Sequence, residues 1–171
     1  MDHIIQMRKT YLGAVPHTIY TALVWLTAAL ICNTLAVGQG IIFFIIAASF
    51  TFPAGELIRK LMKAPNLVNP DNKLPFLFMM LAFGIPLCYP LIYLLVKENT
   101  NYFFSAFSIL VGAHYLPFAY SYGMKSFIVL GVLMVVQGTV CAFYFSDSLI
   151  MPALISSALL LFFCCLKLLP D

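Results

Sequence analysis

The sequence contains very little charge. Only 9% of its 171 residues are Asp, Glu, Lys or Arg, whereas about a quarter of the residues in a soluble domain are charged. Hydrophobic residues make up 63%, and the mean hydropathy is +1.02. This balance excludes a water-soluble domain, and no polar stretch is long enough to form a separate soluble module. We therefore predict one domain, residues 1–171, embedded in a lipid bilayer.

Patterns typical of metal sites, disulfides and catalysis are also missing. The five cysteines lie in apolar runs, without Cys-x-x-Cys spacing or a flanking histidine, so neither a metal site nor a disulfide framework is predicted. No His-Glu-x-x-His, Gly-x-Ser-x-Gly or Gly-rich phosphate loop occurs, so no catalytic residue and no cofactor are predicted. A net charge of +3 is too small to indicate a nucleic-acid partner.

Long apolar runs are what the sequence does contain. A helix needs about 20 apolar residues to cross the hydrocarbon core of a bilayer. Runs of that length, bounded by charged residues, Asn, Pro or Gly, are apolar on every side, which predicts helices rather than alternating β-strands. The six predicted spans are residues 14–35, 38–58, 74–96, 102–122, 125–145 and 148–168.

The basic residues predict the orientation of these spans. If the N-terminus is cytoplasmic, only Lys97 lies on the outer side, and such an excess of basic residues in the inner loops is typical of membrane proteins. The predicted fold class is therefore all-α, a polytopic bundle of six transmembrane helices with both termini cytoplasmic. The basic residues on the inner side are Arg8, Lys9, Arg59, Lys60, Lys63, Lys73, Lys125 and Lys167.

A layer of polar side chains lies within the predicted spans. At a rise of about 1.5 Å per residue, His114 and Gln137 both fall near the middle of the bilayer and differ in depth by about 6 Å. Ionisable groups in membranes usually face the bundle interior or a water-filled cavity. One hypothesis makes His114 a substrate contact or proton acceptor, with Gln137, Ser49, Thr51 and Tyr115 as further substrate-binding residues. The alternative, which the pattern favours, is a neutral histidine that hydrogen-bonds Gln137 across the helix interface.

Four prolines interrupt the predicted spans. A proline in a helix has no N–H for the carbonyl four residues earlier, so we predict helix kinks at Pro53, Pro86, Pro90 and Pro117. Broken helices with free carbonyl groups line the binding sites of several transporters. Prolines are also frequent in ordinary transmembrane helices, and that interpretation stays open.

Glu56 is the only carboxylate inside a predicted span. It is a candidate ion or proton site at the cytoplasmic mouth of the second helix. The competing interpretation is an intrahelical ion pair, because Arg59 and Lys60 follow at three and four residues, the spacing at which helical side chains meet. The spacing favours the ion pair.

Two motifs resemble a known family. Phe52-Pro53 is followed by Leu57, Lys60, Lys63, Asn69 and Pro70, and Gly112-Ala-His-Tyr-Leu-Pro117 lies within the fourth predicted span. Together they resemble a family of small bacterial multi-pass membrane proteins of unknown function, over most of the chain from the second helix onward. The resemblance implies a bacterial cytoplasmic membrane and no particular activity. It marks Pro53, His114 and Pro117 as positions to test.

Three hypotheses for the function remain open at this point. The leading one is a small transporter, permease or channel-like protein for a small molecule or ion, with a polar pocket around His114 and Gln137. Because six short helices give little wall for a pore, the expected partners besides the lipid bilayer are further copies of the chain or another membrane protein. The second hypothesis is an accessory or binding subunit without catalysis. The third, an intramembrane enzyme acting on a lipid or quinone, has no supporting motif.

Overall fold

A computed structural model of the chain describes residues 2–168, and all regular structure within that range is helical. The all-α prediction is therefore confirmed. A 3₁₀ turn, Leu12–Ala14, joins the first two helices. In chain order the helices are α1 (His3–Thr10), α2 (Val15–Thr34), α3 (Val37–Ser49), α4 (Thr51–Leu61), α5 (Leu74–Leu87), α6 (Tyr89–Glu98), α7 (Tyr102–Ser121), α8 (Ser126–Tyr144) and α9 (Ile150–Leu168).

Five helical stretches are long and apolar enough to cross a membrane, or six if a bent pair counts as one span. The bent pair is α3 with α4, which meet at an angle of 60°. The other five are Leu12–Thr34, Leu74–Glu98, Tyr102–Ser121, Ser126–Tyr144 and Ile150–Leu168.

The prolines differ in what they do to the helices. The break between α3 and α4 falls at Phe50, three residues before Pro53, which has no N–H to donate to the Ser49 carbonyl. Pro86 lies in the last turn of α5 and Pro90 in the first turn of α6, on either side of a short interruption at residue 88, and the two helices still form one span. Pro117 lies within an unbroken α7.

The closest helix packing is between α7 and α8. A Cβ atom added to Gly112 would lie 2.7 Å from the Gly131 carbonyl oxygen, and one added to Gly138 would lie 2.8 Å from the Ser105 carbonyl oxygen. No side chain fits at such a distance from a backbone. Small residues at the interface thus bring the two backbones together, as is common between transmembrane helices.

Aromatic rings fill the core between α2, α3 and α7. The ring centroids of Trp25 and Phe44 are 4.8 Å apart, and Phe44 also packs edge-on against Phe104 at 5.3 Å. On another side of α2, the Ser157 hydroxyl of α9 donates a hydrogen bond of 2.9 Å to the Ala22 carbonyl. The core of the molecule therefore consists of α2, α3, α7, α8 and α9.

The α5–α6 span lies at the edge of this bundle. Of its most apolar 18-residue stretch, only 6% is buried inside the protein. The corresponding stretches of the other four unbent spans are 33–50% buried. It is attached mainly to α7, where the rings of Phe78 and Phe118 lie 4.6 Å apart and those of Tyr89 and Phe107 lie 5.7 Å apart. Most of its surface faces away from the protein.

The short helix α1, which the sequence analysis does not predict, is fastened to the loop before α5. The Gln6 side-chain carbonyl accepts hydrogen bonds from the Asn69 N–H at 3.2 Å and the Asn72 side-chain amide at 3.1 Å. The Thr10 hydroxyl accepts one from the Leu67 N–H at 3.0 Å. Gln6 and Thr10 lie with Met7 on the buried face of the helix. These hydrogen bonds explain why two polar residues are found there, because buried polar groups need partners.

Candidate functional site

The charged side chains of the spans meet between α2 and α4. The Arg59 guanidinium donates from Nε and Nη2 to Glu56 Oε2, at 3.0 and 2.9 Å. On the other side of the carboxylate, His17 Nε2 lies 3.9 Å from Glu56 Oε1. The structure thus contains the intrahelical ion pair that the spacing favours, and it adds an imidazole that the sequence analysis does not connect with it.

The break in the second hydrophobic run places this cluster beside α2. Because α4 begins anew at Thr51, its first turns can lie against the first turns of α2. Gly55 makes the approach close enough, since a Cβ atom there would collide with the His17 ring. Residues 55, 56 and 59 lie on one face of a helix, so the glycine that touches α2 directs Glu56 and Arg59 toward it as well.

Aromatic rings close the site on two sides. The rings of Tyr11 and Phe52 each lie 5.9 Å from the His17 ring, and the Arg59 guanidinium carbon is 5.7 Å from the Tyr11 ring centre, within reach of a cation–π interaction. Only 17% of the His17 side chain, 22% of that of Glu56 and 9% of that of Arg59 are exposed. The cluster is largely shielded from solvent.

One nitrogen of this cluster has no partner. His17 Nδ1 is buried, and it makes no hydrogen bond within residues 2–168. A neutral imidazole has one N–H donor and one acceptor nitrogen, so with Nε2 directed to the carboxylate the ring can take up a second proton or bind a further polar group. At 3.9 Å, Nε2 and Oε1 are too far apart for a direct hydrogen bond, so proton exchange between them requires a bridging water or a small movement of either side chain.

Tyr11, which precedes the first span, is affected by the same charges. Burial raises the pKa of its phenol above the usual value of 10.0, the negative charge of Glu56 raises it further, and the positive charge of Arg59 acts in the opposite direction. Tyr11 is therefore neutral at physiological pH and serves as a wall of the site rather than as a charged member.

His114 lies on a different face of the bundle. It is half-buried in α7, its ring packs edge-on against Phe118 with 4.9 Å between the centroids, and its imidazole interacts with the Leu81 backbone of α5. It therefore faces the peripheral α5–α6 span.

Gln137 has a separate set of partners. Its amide nitrogen donates hydrogen bonds to the Ser108 hydroxyl and, at 2.8 Å, to the Ser156 hydroxyl, so the three side chains join α7, α8 and α9. The Ser156 hydroxyl in turn donates to that of Ser108 at 3.0 Å, and Ser108 donates to the Met134 carbonyl at 3.0 Å. We call Gln137, Ser108 and Ser156 the polar triad.

The described residues show no hydrogen bond between His114 and Gln137, and the two side chains have different partners. Ser108, which binds Gln137, is six residues from His114 on the same helix. That separation corresponds to about 9 Å along the axis and about 120° of rotation, so the two polar groups point to different neighbours. Depth alone, the basis of the prediction, does not fix the direction in which a side chain points.

The remaining predicted binding residues are dispersed. The exposed Ser49 hydroxyl donates to the Ile45 carbonyl at 2.8 Å, and Thr51 begins α4 on the other side of the break. Tyr115 is buried and stacks on Phe127 with 5.9 Å between the centroids. A substrate-binding role for His114, Gln137, Ser49, Thr51 and Tyr115 stays a prediction.

A signal for the His17–Glu56 pair was present in the sequence. His17 lies three residues inside the start of the first predicted span, and Glu56 lies two residues inside the end of the second. Consecutive spans run antiparallel, so these positions are at the same depth in adjacent helices. The second titratable group was thus detectable by matching depths between neighbouring spans.

Comparison with known proteins gives a family but no activity. A family model described as a family of unknown function, DUF7010, matches residues 5–169. No curated protein and no solved structure matches the chain.

Proposed function

We propose that this chain, which belongs to the DUF7010 family of unknown function, is a six-span protein of the bacterial cytoplasmic membrane that acts as a small proton-linked transporter. In this proposal both termini are cytoplasmic, and Glu56 with His17 forms the proton site at the inner end of the bundle. The family supplies no activity, so the proposal depends on the geometry of the cluster and on the path of the bent pair.

The path of the bent pair supports six spans. Contacts between α2 and the α3–α4 pair continue from one end of α2 to the other, in antiparallel order, as expected if the two halves form one kinked span. An even number of spans places both termini on one side, in agreement with the distribution of basic residues. The contacts, from the outer to the inner end, are Cys32 with Gly40, Trp25 with Phe44, Tyr20 with Ala47, His17 with Gly55 and Tyr11 with Arg59.

The observation that carries the proposal is the partly buried Glu56 carboxylate, which lies between a guanidinium and an imidazole. Charged groups in a membrane span are costly, and those that are kept usually mark ion or proton paths. Arg59 alone satisfies Glu56 as an ion pair. His17 adds an imidazole, a group that can accept or donate a proton, and one of its buried nitrogens is unpaired in the described part of the chain.

Hydroxyl groups continue from this cluster toward the middle of the bilayer. Tyr20, one turn beyond His17, donates a hydrogen bond of 3.0 Å to the Ala47 carbonyl near the break between α3 and α4. Ser49, at the same break, interacts with the Tyr89 side chain. Further outward the buried rings of Trp25 and Phe44 close the path. The proposal therefore requires these rings to move during transport, with the break at Phe50 as the hinge.

Proton flux into vesicles tests this proposal. Purified protein is reconstituted in liposomes that enclose a pH-sensitive dye, and a potassium diffusion potential is applied with valinomycin. We expect wild-type vesicles to acidify faster than protein-free vesicles, and E56Q and H17Q to abolish the difference because each removes one half of the proton site. E98Q serves as the matched control, because it removes an exposed carboxylate at the end of α6, outside the charged cluster. It should conduct protons like wild type.

Three results would contradict the proposal. Wild-type flux no greater than that of empty vesicles would exclude proton transport, and undiminished flux in E56Q and H17Q would exclude this site. Flux lost in H114Q but kept in H17Q would move the proton site to the interface between α7 and α5.

A second candidate function, a subunit of a larger membrane complex, is favoured by the exposed α5–α6 span. Only 6% of the most apolar stretch of Leu74–Glu98 is buried inside the protein. Another copy of the chain or a different membrane protein could cover the exposed surface of this span. The size of the particle extracted from native membranes in mild detergent tests it. A particle of the size of one chain would contradict this function.

A further inference from the structure

We infer that the inner end of the bundle binds the phosphate of an anionic phospholipid headgroup, in a groove between the α1–α2 turn and the end of α9. The groove has a volume of about 370 Å³, within the range of small-molecule sites. The inference depends on the proposed orientation of the chain but not on proton transport, and proton flux and lipid binding are measured separately.

Two uncompensated cations line the groove. Arg8 Nε donates to the Tyr122 carbonyl at 2.9 Å, and Nη2 donates to the Gly123 carbonyl at 2.5 Å, so the guanidinium is fixed at the end of α7 without a carboxylate partner. Three of its five N–H donors stay available. Lys167 lies on the opposite wall, with Nζ 5.9 Å from the centre of the Phe163 ring. Within residues 2–168 no acidic side chain lines the groove or pairs with either cation.

The backbone between α1 and α2 curves around one side of the groove. Tyr11 is in the right-handed region with φ −98° and ψ 10°, and Leu12, Gly13 and Ala14 follow with φ of 49°, 61° and 68°, in the left-handed region. A right-handed residue followed by a left-handed one turns successive N–H groups to the same side and forms an anion-binding concavity. Leu12 and Gly13 line the groove, so this curved stretch of backbone forms part of its wall.

The remaining walls explain why the occupant is a lipid. Leu12, Val15, Met124 and Leu166 present apolar surface beside the two cations. A free phosphate gains nothing from that surface, whereas a phospholipid places its phosphate between the cations and its glycerol and acyl segments along the apolar wall. Anionic lipids are concentrated in the cytoplasmic leaflet, and basic pockets between helices on that side are suited to their headgroups.

Native mass spectrometry of the purified full-length protein tests the inference. The probes are phosphatidylglycerol and phosphatidylcholine with identical acyl chains. We expect phosphatidylglycerol to be retained to higher collision energy and with higher affinity. K167Q should lower that affinity about fivefold, the effect of one basic residue near a membrane surface, and should leave phosphatidylcholine unchanged. K97Q, at the opposite end of the bundle, is the matched control and should bind both lipids like wild type.

A further arm separates the lipid from a soluble phosphate. Glycerol phosphate at millimolar concentration should not displace phosphatidylglycerol, and displacement would show that the groove binds a soluble phosphate ester instead. Equal retention of the two lipids, or equal losses in K167Q and K97Q, would overturn the inference. R8Q removes the other cation, and because Arg8 also holds the end of α7, its thermal stability is measured alongside. A folded R8Q that binds phosphatidylglycerol like wild type would also overturn it.

Discussion

Two polar clusters lie within the bundle, and they differ in charge and in completeness. The polar triad of Gln137, Ser108 and Ser156 is neutral, and its members bond to one another and to a backbone carbonyl. The cluster of His17, Glu56 and Arg59 is charged and has a buried nitrogen without a partner in the described residues. The first joins the three helices α7, α8 and α9, which also pack against one another, and the second joins α2 to α4, the second half of the bent pair.

This difference indicates which of the two clusters serves helix packing and which is a candidate for function. A closed network of amides and hydroxyls contributes modest stability between transmembrane helices, and its polar groups need no other role. A charged group in a span costs more than such contacts return, and a well-packed apolar side chain could hold α4 to α2 as well. The charged cluster is therefore the better candidate for function.

The largest effect is expected when the helices that carry the polar triad are forced apart. In G112A the new methyl group would lie 2.7 Å from the Gly131 carbonyl oxygen and 2.9 Å from the Val135 nitrogen, so the backbones of α7 and α8 must separate. Overpacking of this kind costs about 1–3 kcal/mol and more where only backbone can yield. Thermal unfolding in detergent should show a clearly lower midpoint.

G84A is the matched control for this variant. Gly84 is also in a transmembrane helix, but a Cβ atom there has no neighbour within 4 Å. Alanine has the higher helix propensity, so stability should be unchanged or slightly higher. Equal losses in G84A and G112A would show that the close contact between α7 and α8 is not what stabilises the bundle.

A smaller loss is expected when the charged cluster loses one partner. In R59Q, Glu56 keeps its charge but loses the hydrogen bonds that Nε and Nη2 of the guanidinium donate to it. Removing one partner of a buried ion pair costs about 3–5 kcal/mol, and the partial exposure of Glu56 reduces the expected loss to about 1–2 kcal/mol.

The double variant E56Q/R59Q shows whether the loss arises from the unpaired charge. Because the second substitution removes that charge, E56Q/R59Q should unfold at a higher temperature than R59Q. If E56Q lowers the stability of R59Q by as much as it lowers that of the wild type, the two side chains do not interact. That result would contradict the pairing.

The polar triad should be less sensitive than the charged cluster. In Q137L the Ser108 and Ser156 hydroxyls keep their mutual hydrogen bond, and Ser108 keeps its bond to the Met134 carbonyl. Hydrogen bonds between transmembrane helices contribute about 0.6 kcal/mol on average, so a loss below about 1 kcal/mol is expected by thermal unfolding. Proton flux should be that of wild type, and loss of flux in a stable Q137L would reverse the functional assignment of the two clusters.

Sequence reasoning predicts the helices of this chain far better than their contacts. The predicted spans 102–122, 125–145 and 148–168 lie within two residues of α7, α8 and α9, because hydropathy reports the length of each apolar run. The break at Phe50 lies inside one predicted span, residues 38–58, and the length of an apolar run does not locate a break within it, although Pro53 gives a local signal. The short helix α1 lies outside any apolar run and depends on contacts with a distant loop, which no local pattern reveals.

The candidate site shows the same limit. The spacing of Glu56 and Arg59 within one helix is a local property, and the ion pair it favours is present. The neighbour of His114 depends on the rotation of α7, which is set by the glycines that pack against α8. Those glycines direct Ser108 toward Gln137 and leave His114 facing α5, so the expected polar pocket is divided between two faces of one helix.

The smallest expected effect concerns the aromatic wall of the charged cluster at high pH. Tyr11 is enclosed beside Glu56, so its pKa is raised by burial first and by the carboxylate second. Below the usual pKa of 10.0 the phenol is protonated in both states and contributes no pH dependence. Above it the unfolded chain loses this proton while the folded chain keeps it, so the free energy of unfolding falls as the pH rises toward the raised folded pKa.

Y11F removes this titration and should therefore lose less stability than wild type as the pH rises above about 10. Y144F, which lacks a phenol that is 79% exposed, provides the control for general alkaline effects such as lysine deprotonation. If Y11F and Y144F show the same alkaline loss in thermal unfolding, the Tyr11 phenol is not enclosed as the structure places it. A smaller loss in Y11F than in Y144F would support the enclosure, and loss of that difference in the E56Q background would assign part of the effect to the carboxylate.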